Sequence, residues 1–136
     1  MGKQQAKFQV RILTIGYEGS TPEQFLHCLQ QAGVTCLLDV RELPMSRRRG
    51  FAKTALSTAL GKAGINYEHD RILGAPREIR HRLRDDGDLP RYFADFREYL
   101  ASRKGHLDEL AGRMSGAVAL MCFERNPAEC HRSVVA

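Results

Sequence analysis

Residues 10–40 read VRILTIGYEGSTPEQFLHCLQQAGVTCLLDV and predict a strand, a helix and a second strand. The run from Val10 to Ile15 is rich in β-branched residues, as strands are. Thr21 opens the sequence TPEQ, which matches a helix N-cap, a proline at the first helical position and a capping-box glutamine. The apolar run from Cys36 to Val40 is typical of a strand covered on both faces, as in a parallel sheet. The first unit is therefore β-α-β.

The rest of the chain continues to alternate helices with strands. We predict a helix over 51–63, a strand over 65–68, a helix from Pro90, a short helix before Gly116, a central strand over 117–123 and a helix beginning near Pro127. The stretch 69–89 is polar and arginine-dense, and we expect an exposed functional insertion there. This alternation predicts one three-layer α/β domain over residues 1–136, with a mainly parallel, Rossmann-like sheet.

The composition is that of an ordinary globular protein. Of the 136 residues, 43% are hydrophobic and 27% charged, which excludes a chain that is disordered throughout. No apolar run approaches the roughly 20 residues that a membrane-spanning helix needs, and residues 1–9 lack the apolar centre of a signal peptide. We therefore expect a cytoplasmic protein with no membrane partner and with reduced cysteines. Its net charge of +5 favours an anionic partner.

Polar side chains follow the predicted strands, where ligands bind in open parallel sheets. Asp39 and Arg41 lie two residues apart, so their side chains leave one face and can bind each other or a shared ligand. An ion pair that only braces the fold explains these two residues equally well. At the strand ends we predict ligand-binding roles for Gly16, Tyr17, Asp39, Arg41, Ser46 and Arg132.

Cys130 and His131 fall near the start of the last predicted helix. Helix N-termini favour a thiolate, so Cys130 is a candidate nucleophile, with His131, Glu18 and Glu124 as candidate proton carriers. A cysteine that only packs against the sheet is the alternative. The spacing of Cys122, Cys130 and His131 matches no common zinc pattern, so we predict neither a metal site nor a cofactor.

The run Arg47, Arg48 and Arg49 predicts a basic rim for nucleic acid, because arginine binds phosphate through two parallel hydrogen bonds. A solvated surface is the alternative, and acidic residues dilute the second group of arginines over 71–84. The loop after Gly16 matches neither a Walker nor a dinucleotide motif. The helix that begins after Thr21 is a second candidate anion site through its free N–H groups.

Four segments, TIGYEGSTPEQF, LLDVRELPMSRRRGF, INYEHDRILG and ALMCFERNPAECHR, together resemble the family called domain of unknown function 488. The resemblance covers most of residues 13–132 and keeps the motifs in order. It implies the positions of the family motifs and no particular activity, because the family has no agreed biochemical function. Those positions are Gly16, Tyr17, Glu18, Asp39, Arg41, Pro44, Ser46, Phe51, Leu73, Gly74, Cys122, Glu124, Cys130, His131 and Arg132.

The resemblance also bears on the C-terminal end, because family members continue through a longer helix after the Cys-His-Arg motif. We therefore expect the last helix here to be truncated or incomplete. A sheet left partly uncovered would expose apolar surface, and self-association to a homo-oligomer would follow.

Three functions remain open from the sequence, and it does not decide whether the protein is an enzyme. The first is a basic, anion-binding cleft at the strand ends for a phosphate-bearing ligand, either a nucleotide or nucleic acid. The second is a sulfur- or phosphoryl-transfer enzyme that uses Cys130, although the loop after Cys122 lacks the Cys-x5-Arg arrangement of phosphatases. The third is a non-enzymatic interaction module.

Overall fold

Four parallel strands form one sheet in the computed structural model, which describes residues 10–123 and 132–135. The strands are β1 (Val10–Gly16), β2 (Cys36–Asp39), β3 (Asn66–His69) and β4 (Gly116–Cys122). Their order across the sheet is β1-β4-β2-β3. The central strand β4 pairs with β1 as far as Cys122 and with β2 as far as Met121. The carboxyl ends of β1, β4 and β2 therefore lie level at one edge of the sheet.

Helices cover both faces of this sheet. They are α1 (Pro22–Gln31), α2 (Lys53–Lys62), α3 (Arg77–Asp86), α4 (Leu89–Ala101), α5 (Lys104–Arg113) and α6 (Arg132–Val135), with a 3-10 turn over Arg71–Leu73. The predicted α/β class with a Rossmann-like parallel sheet in three layers is confirmed.

Two apolar cores form because side chains alternate between the faces of each strand. Leu37 of β2 packs with residues of α1 and α2, whereas its neighbour Leu38 packs with residues of α4 and α5. The first core includes Phe25, Leu29, Leu56, Leu60, Ala119 and Met121. The second includes Phe96, Leu100, Leu110, Val118 and Leu120, with Val134 and Val135 of α6 against it. Strands buried on both faces explain the unbroken apolar runs of β2 and β4.

The start of α1 confirms the capping box. The Thr21 hydroxyl oxygen accepts a hydrogen bond from the Gln24 amide at 3.1 Å, and the Gln24 side chain accepts one from the Thr21 amide at 2.9 Å. The helix ends before Gly33, whose φ of 70° is a left-handed conformation that favours glycine.

The stretch 69–89 differs from the predicted insertion because most of it is helical. Helix α3 begins after Pro76 and ends at Gly87, which has a φ of 65°. None of its residues is fully buried, but Ile79 and Leu83, one turn apart, pack against the second core. Two apolar residues among so many arginines gave too weak a periodic signal to predict this helix.

Two further sequence predictions meet the limits of the described residues. The helix expected near Pro127 and the candidate residues Glu124, Cys130 and His131 lie outside them. Within residues 10–123 and 132–135, no helix combines the length and the apolar character needed to cross a bilayer.

Candidate functional site

Asp39 and Arg41 form a buried ion pair at the carboxyl end of β2. Arg41 Nε donates to Asp39 Oδ1 at 2.8 Å, and Arg41 Nη2 donates to Oδ2 at 2.6 Å. The Arg41 amide also donates to Oδ1 at 3.1 Å. The two residues are 0% and 6% exposed. The bidentate geometry satisfies both carboxylate oxygens, which makes the burial of two charges tolerable.

The pair is tied to three neighbouring segments. Arg41 Nη1 donates to the Phe51 carbonyl at 2.8 Å and lies 3.4 Å from the Tyr17 hydroxyl. From β3, Tyr67 donates to Asp39 Oδ2 at 2.5 Å. Asp39 and Arg41 therefore hold the end of β1, strand β3 and the loop before α2 in one network.

Burial and hydrogen bonding shift two pKa values in this network. Burial raises the pKa of Tyr67, and the hydrogen bond to the Asp39 carboxylate raises it further, because ionised Tyr67 would place two negative charges in contact. Burial alone would lower the pKa of Arg41, but the hydrogen bonds and charge of Asp39 outweigh it and raise that pKa. Tyr67 therefore stays neutral and Arg41 stays charged near neutral pH.

Three aromatic rings form a cluster in which Tyr17 lies beside Arg41. Tyr17 stacks on Phe51, with ring centroids 4.6 Å apart, and the Arg41 Cζ atom lies 5.5 Å from the Tyr17 ring centroid. Phe123, directly after β4, meets Tyr17 edge to face at 5.3 Å. Tyr17 is buried, whereas Phe123 is 40% exposed. An aromatic surface thus lies next to the buried ion pair.

A cavity of about 300 Å³ opens on the other side of Arg41, between the ends of β2 and β4 and helices α3 and α4. Arg80 of α3 lies at its wall: Nε donates to the Ala75 carbonyl at 3.0 Å, and Nη2 lies 2.5 Å from Glu42 Oε1. The cavity therefore has an apolar wall and a polar one. It is lined by Arg41, Glu42, Leu43, Ala75, Arg80, Leu83, Tyr92 and Cys122.

A basic groove continues outward from this cavity. The groove has a volume of about 470 Å³ and shares Glu42, Leu43 and Arg80 with the cavity. Its other lining residues are Arg71, Arg77, Glu78 and His81. Three arginines and two glutamates therefore line the groove.

Larger cavities lie at the opposite edge of the sheet. One of about 760 Å³ is lined by residues such as Arg11, Gly33 and Gly116, and one of about 640 Å³ by residues such as Thr35 and Arg113. Both lie at the amino ends of the strands. Ligands of open parallel sheets bind at the carboxyl ends, and the buried charges of this protein lie there as well. Cavity volume alone therefore does not identify the candidate site.

The predicted basic rim is exposed and close to the aromatic surface. Arg47, Arg48 and Arg49 are all exposed. Arg48 Nη2 donates to the Ser20 carbonyl at 2.8 Å, and its Cζ atom lies 5.9 Å from the Phe51 ring. Ser46 accepts a hydrogen bond from the Arg48 amide at 3.1 Å, which fixes the turn. This loop thus packs against the start of α1.

The remaining predicted residues are distributed as follows. Gly16 is the last residue of β1, and the Glu18 amide donates to the Phe123 carbonyl at 2.8 Å. Arg132 is 1% exposed and begins α6. At α1, the amides of Thr21 and Gln24 are already bonded within the capping box, which leaves less of that helix start for an anion.

Cysteine and metal chemistry gain no support from the part of the chain that the structure describes. Burial raises the pKa of the Cys36 thiol, and the negative charge of Glu68 adds to the shift. Cys28 is exposed and Cys122 is buried. Among the described residues, no group of three or more His, Cys, Asp or Glu side chains is placed to hold a metal ion.

Sequence reasoning missed Tyr67 and Phe123, and it placed Arg80 only among the arginines of the stretch 69–89. Tyr67 lay in a predicted strand. Its hydroxyl reaches Asp39 because the pairing of β3 with β2 places Tyr67 beside Leu37. Arg80 would have required the prediction of α3. Phe123 was the end of an apolar run, and no local signal indicates that it is exposed.

Comparison with known proteins connects this arrangement to a family. Neither the curated proteins nor the solved structures include a match to the chain. The match to a family model covers most of the chain, including Asp39, Arg41 and the Leu73-Gly74 pair. The model described as "Domain of unknown function DUF488" matches residues 21–136, and the chain therefore belongs to that family.

Proposed function

We propose that the protein binds a phosphate-bearing ligand, a nucleotide or nucleic acid, in the cleft at the carboxyl ends of β2 and β4. The observation that supports this most directly is the cavity between these strand ends, with an apolar wall and Arg80 at its other side. A cavity of about 300 Å³ is at the lower end of the range for small-ligand sites. Its size fits one nucleotide unit.

Arg80 is the residue that we assign to the phosphate. Its side chain is 41% exposed, and its contacts with Ala75 and Glu42 occupy Nε and Nη2. Within residues 10–123 and 132–135, no acceptor atom forms a hydrogen bond with Nη1 of Arg80. Phosphate can therefore approach Nη1 while Glu42 keeps the guanidinium in place.

Arg41 has a different role, because Asp39 and Phe51 already occupy much of its guanidinium. We assign it as a positioning residue that fixes one wall of the cavity. The apolar wall, formed by residues such as Leu83 and Tyr92, suits the base or sugar of the ligand. The phosphate then faces the groove, where Arg71 and Arg77 add positive charge.

Thermal unfolding in the presence of ligands tests this proposal without an assay for a reaction. A ligand that binds the folded state at 100 times its Kd adds about 2.7 kcal/mol to the free energy of unfolding. We expect nucleoside monophosphates to raise Tm of the wild-type protein. Arg80→Ala should weaken their binding roughly 10- to 100-fold, because a hydrogen bond to a charged group contributes about 1.5–3 kcal/mol.

Arg82→Ala is the matched control, since Arg82 lies on the same helix and also forms an ion pair, with Asp95. It should retain the ligand-dependent rise in Tm. Equal binding by the Arg80→Ala and Arg82→Ala variants would contradict the assignment of Arg80. No rise in Tm with any phosphate-bearing ligand would contradict the proposed function.

A further inference from the structure

Exposed apolar side chains gather at the same edge as the cavity. Among the described residues, four large hydrophobic side chains are exposed: Ile12 (41%), Leu43 (52%), Met45 (71%) and Phe123 (40%). Three of them lie at or beside the carboxyl ends of β2 and β4. These three exposed apolar side chains make this edge of the sheet a candidate contact surface.

Phe123 is held in a fixed orientation. Its carbonyl accepts from the Glu18 amide at 2.8 Å, and its ring meets Tyr17 at an interplanar angle of 80°. Tyr17 is in turn stacked on Phe51. Because the buried Tyr17 ring packs against Phe123, the exposed part of Phe123 forms an aromatic platform.

The arginines near this platform differ in their partners from other arginines of the described chain. Arg80, Arg82, Arg91 and Arg113 each have an acidic partner. Arg47, Arg48 and Arg49 have none within the ranges that the structure describes, and Arg48 is anchored to a carbonyl instead. This exposed run therefore offers three positive charges to an outside anion.

The platform and the cavity lie on opposite sides of Arg41. Leu43 lines the cavity and precedes Met45 by two residues, and Cys122 lines it and directly precedes Phe123. Arg41 lines the cavity on one side and contacts Tyr17 on the other. A ligand can thus extend from the cavity across Phe123 towards Arg47, Arg48 and Arg49.

We infer that the natural ligand of this surface is single-stranded nucleic acid, with one nucleotide in the cavity, the next base on Phe123 and neighbouring phosphates on Arg47, Arg48 and Arg49. This inference rests on the proposed function and names its ligand class. Stacking on an aromatic side chain requires an open base face, which a duplex does not present. The run of three arginines, which have no acidic partner among the described residues, matches a phosphate chain better than a single phosphate.

Fluorescence anisotropy with a labelled 12-nucleotide oligothymidine tests this inference. The competitors are the same strand in a duplex with oligoadenosine, thymidine monophosphate, and vesicles of phosphatidylserine with phosphatidylcholine. We expect the single strand to bind at least tenfold more tightly than the duplex and to remain bound in the presence of vesicles. Duplex binding of equal strength, or binding to vesicles without binding to the oligonucleotide, would overturn the inference.

Variants of Phe123 separate base stacking from general apolar contact. Phe123→Ala removes the face on which a base would stack, so it should weaken binding of the single strand about tenfold. Phe123→Tyr keeps an aromatic face and should bind like the wild type. Phe123→Leu keeps apolar bulk without that face and should bind as weakly as Phe123→Ala. Full binding by Phe123→Leu would contradict the stacking role.

The dependence on salt tests the arginines. Each phosphate contact contributes roughly 0.7 to the slope of log K against log salt for a single strand. The Arg47→Ala/Arg48→Ala/Arg49→Ala variant should lower the magnitude of that slope by about 2. A control that removes three exposed charges elsewhere, Lys62→Ala/Arg97→Ala/Lys104→Ala, should leave the slope near that of the wild type.

The outcomes distinguish this inference from the proposed function. One outcome is that a monophosphate binds in a manner that depends on Arg80, while the oligonucleotide binds no more tightly than the monophosphate. That outcome would contradict the single-strand inference and leave the proposed function standing. Absence of binding to monophosphate and oligonucleotide alike would overturn both.

Discussion

Gly74 lies directly against the backbone of Glu42. A Cβ atom at position 74 would lie 2.8 Å from the Arg41 carbonyl carbon, and closer still to Glu42 Cα and to the Glu42 amide nitrogen. The φ of Gly74 is −80°, which other residues adopt readily. Gly74 is therefore required by this close approach rather than by its backbone conformation. The contact sets the distance between the end of β2 and the segment that leads into α3.

The first prediction concerns this contact. Gly74→Ala should destabilise the protein by about 1–3 kcal/mol, because backbone rather than a flexible side chain must move to admit the methyl group. The displaced Glu42 also forms the cavity wall, so nucleotide binding should weaken as well. Gly61→Ala is the control: among the described residues outside the backbone of its own helix, no heavy atom lies within 4 Å of the added Cβ. Gly61 lies in helix α2, where replacing glycine with alanine stabilises the protein by roughly 0.5–1 kcal/mol. Denaturant unfolding of both variants measures the difference.

The second prediction concerns the ion pair of Asp39 and Arg41. Removal of one partner leaves a buried charge, so Asp39→Asn and Arg41→Gln should each cost about 3–5 kcal/mol. The apolar double variant Asp39→Leu/Arg41→Met should lose less than the two single changes together, because no charge is left unpaired.

Arg82→Ala provides a control for that experiment, since its partner Asp95 is at the surface and the Arg82 side chain is 58% exposed. Exposed ion pairs contribute about 0–1 kcal/mol. Chemical denaturation of the set tests the comparison. Single variants at Asp39 and Arg41 that are no less stable than Arg82→Ala would contradict the account of the buried network.

The third prediction concerns Tyr67 and pH. The pKa of Tyr67 is raised in the folded protein. The hydrogen bond of its hydroxyl therefore contributes fully to the free energy of unfolding below the ordinary tyrosine pKa of about 10. As pH rises beyond that value, unfolded Tyr67 ionises while folded Tyr67 does not, and the contribution is lost. Tyr67→Phe should therefore cost about 1.5–3 kcal/mol near pH 8, the contribution of a hydrogen bond to a charged group. The gap should narrow above pH 10.

Unfolding of the wild type and of Tyr67→Phe at several pH values between 8 and 11 measures this gap. Absorbance of tyrosinate adds a second readout, because Tyr67 should titrate later than an ordinary tyrosine. A gap that does not change across this range would contradict the hydrogen bond between Tyr67 and Asp39.

The sequence predicted those parts of the fold that depend on local signals. Thr21 and Gln24 form the capping box that TPEQ indicated, and the apolar runs of β2 and β4 are buried on both faces. The two-residue spacing of Asp39 and Arg41 anticipated their pairing, since alternate residues of a strand share a face. The sequence also predicted that polar side chains lie at the carboxyl edge of the sheet.

The parts that escaped prediction depend on contacts between distant segments. Arg80 meets Glu42 across 38 positions, and Tyr67 meets Asp39 across 28. The cavity exists only where α3 and α4 pack beside two strand ends. Neither periodicity nor capping reports such contacts. The roles of Cys130, His131 and Glu124 fall outside the described residues and stay predictions.

The central claim is the position of the ligand at the carboxyl edge of the sheet, and backbone amide chemical shifts measure it most directly. A titration of the 15N-labelled protein with a nucleoside monophosphate should move the amides of Glu42, Leu43, Ala75 and Arg80, which line the cavity. The amides around Gly33 and Gly116, at the larger cavities of the amino edge, should stay in place. Shifts confined to that amino edge, or no shifts at all, would contradict the account.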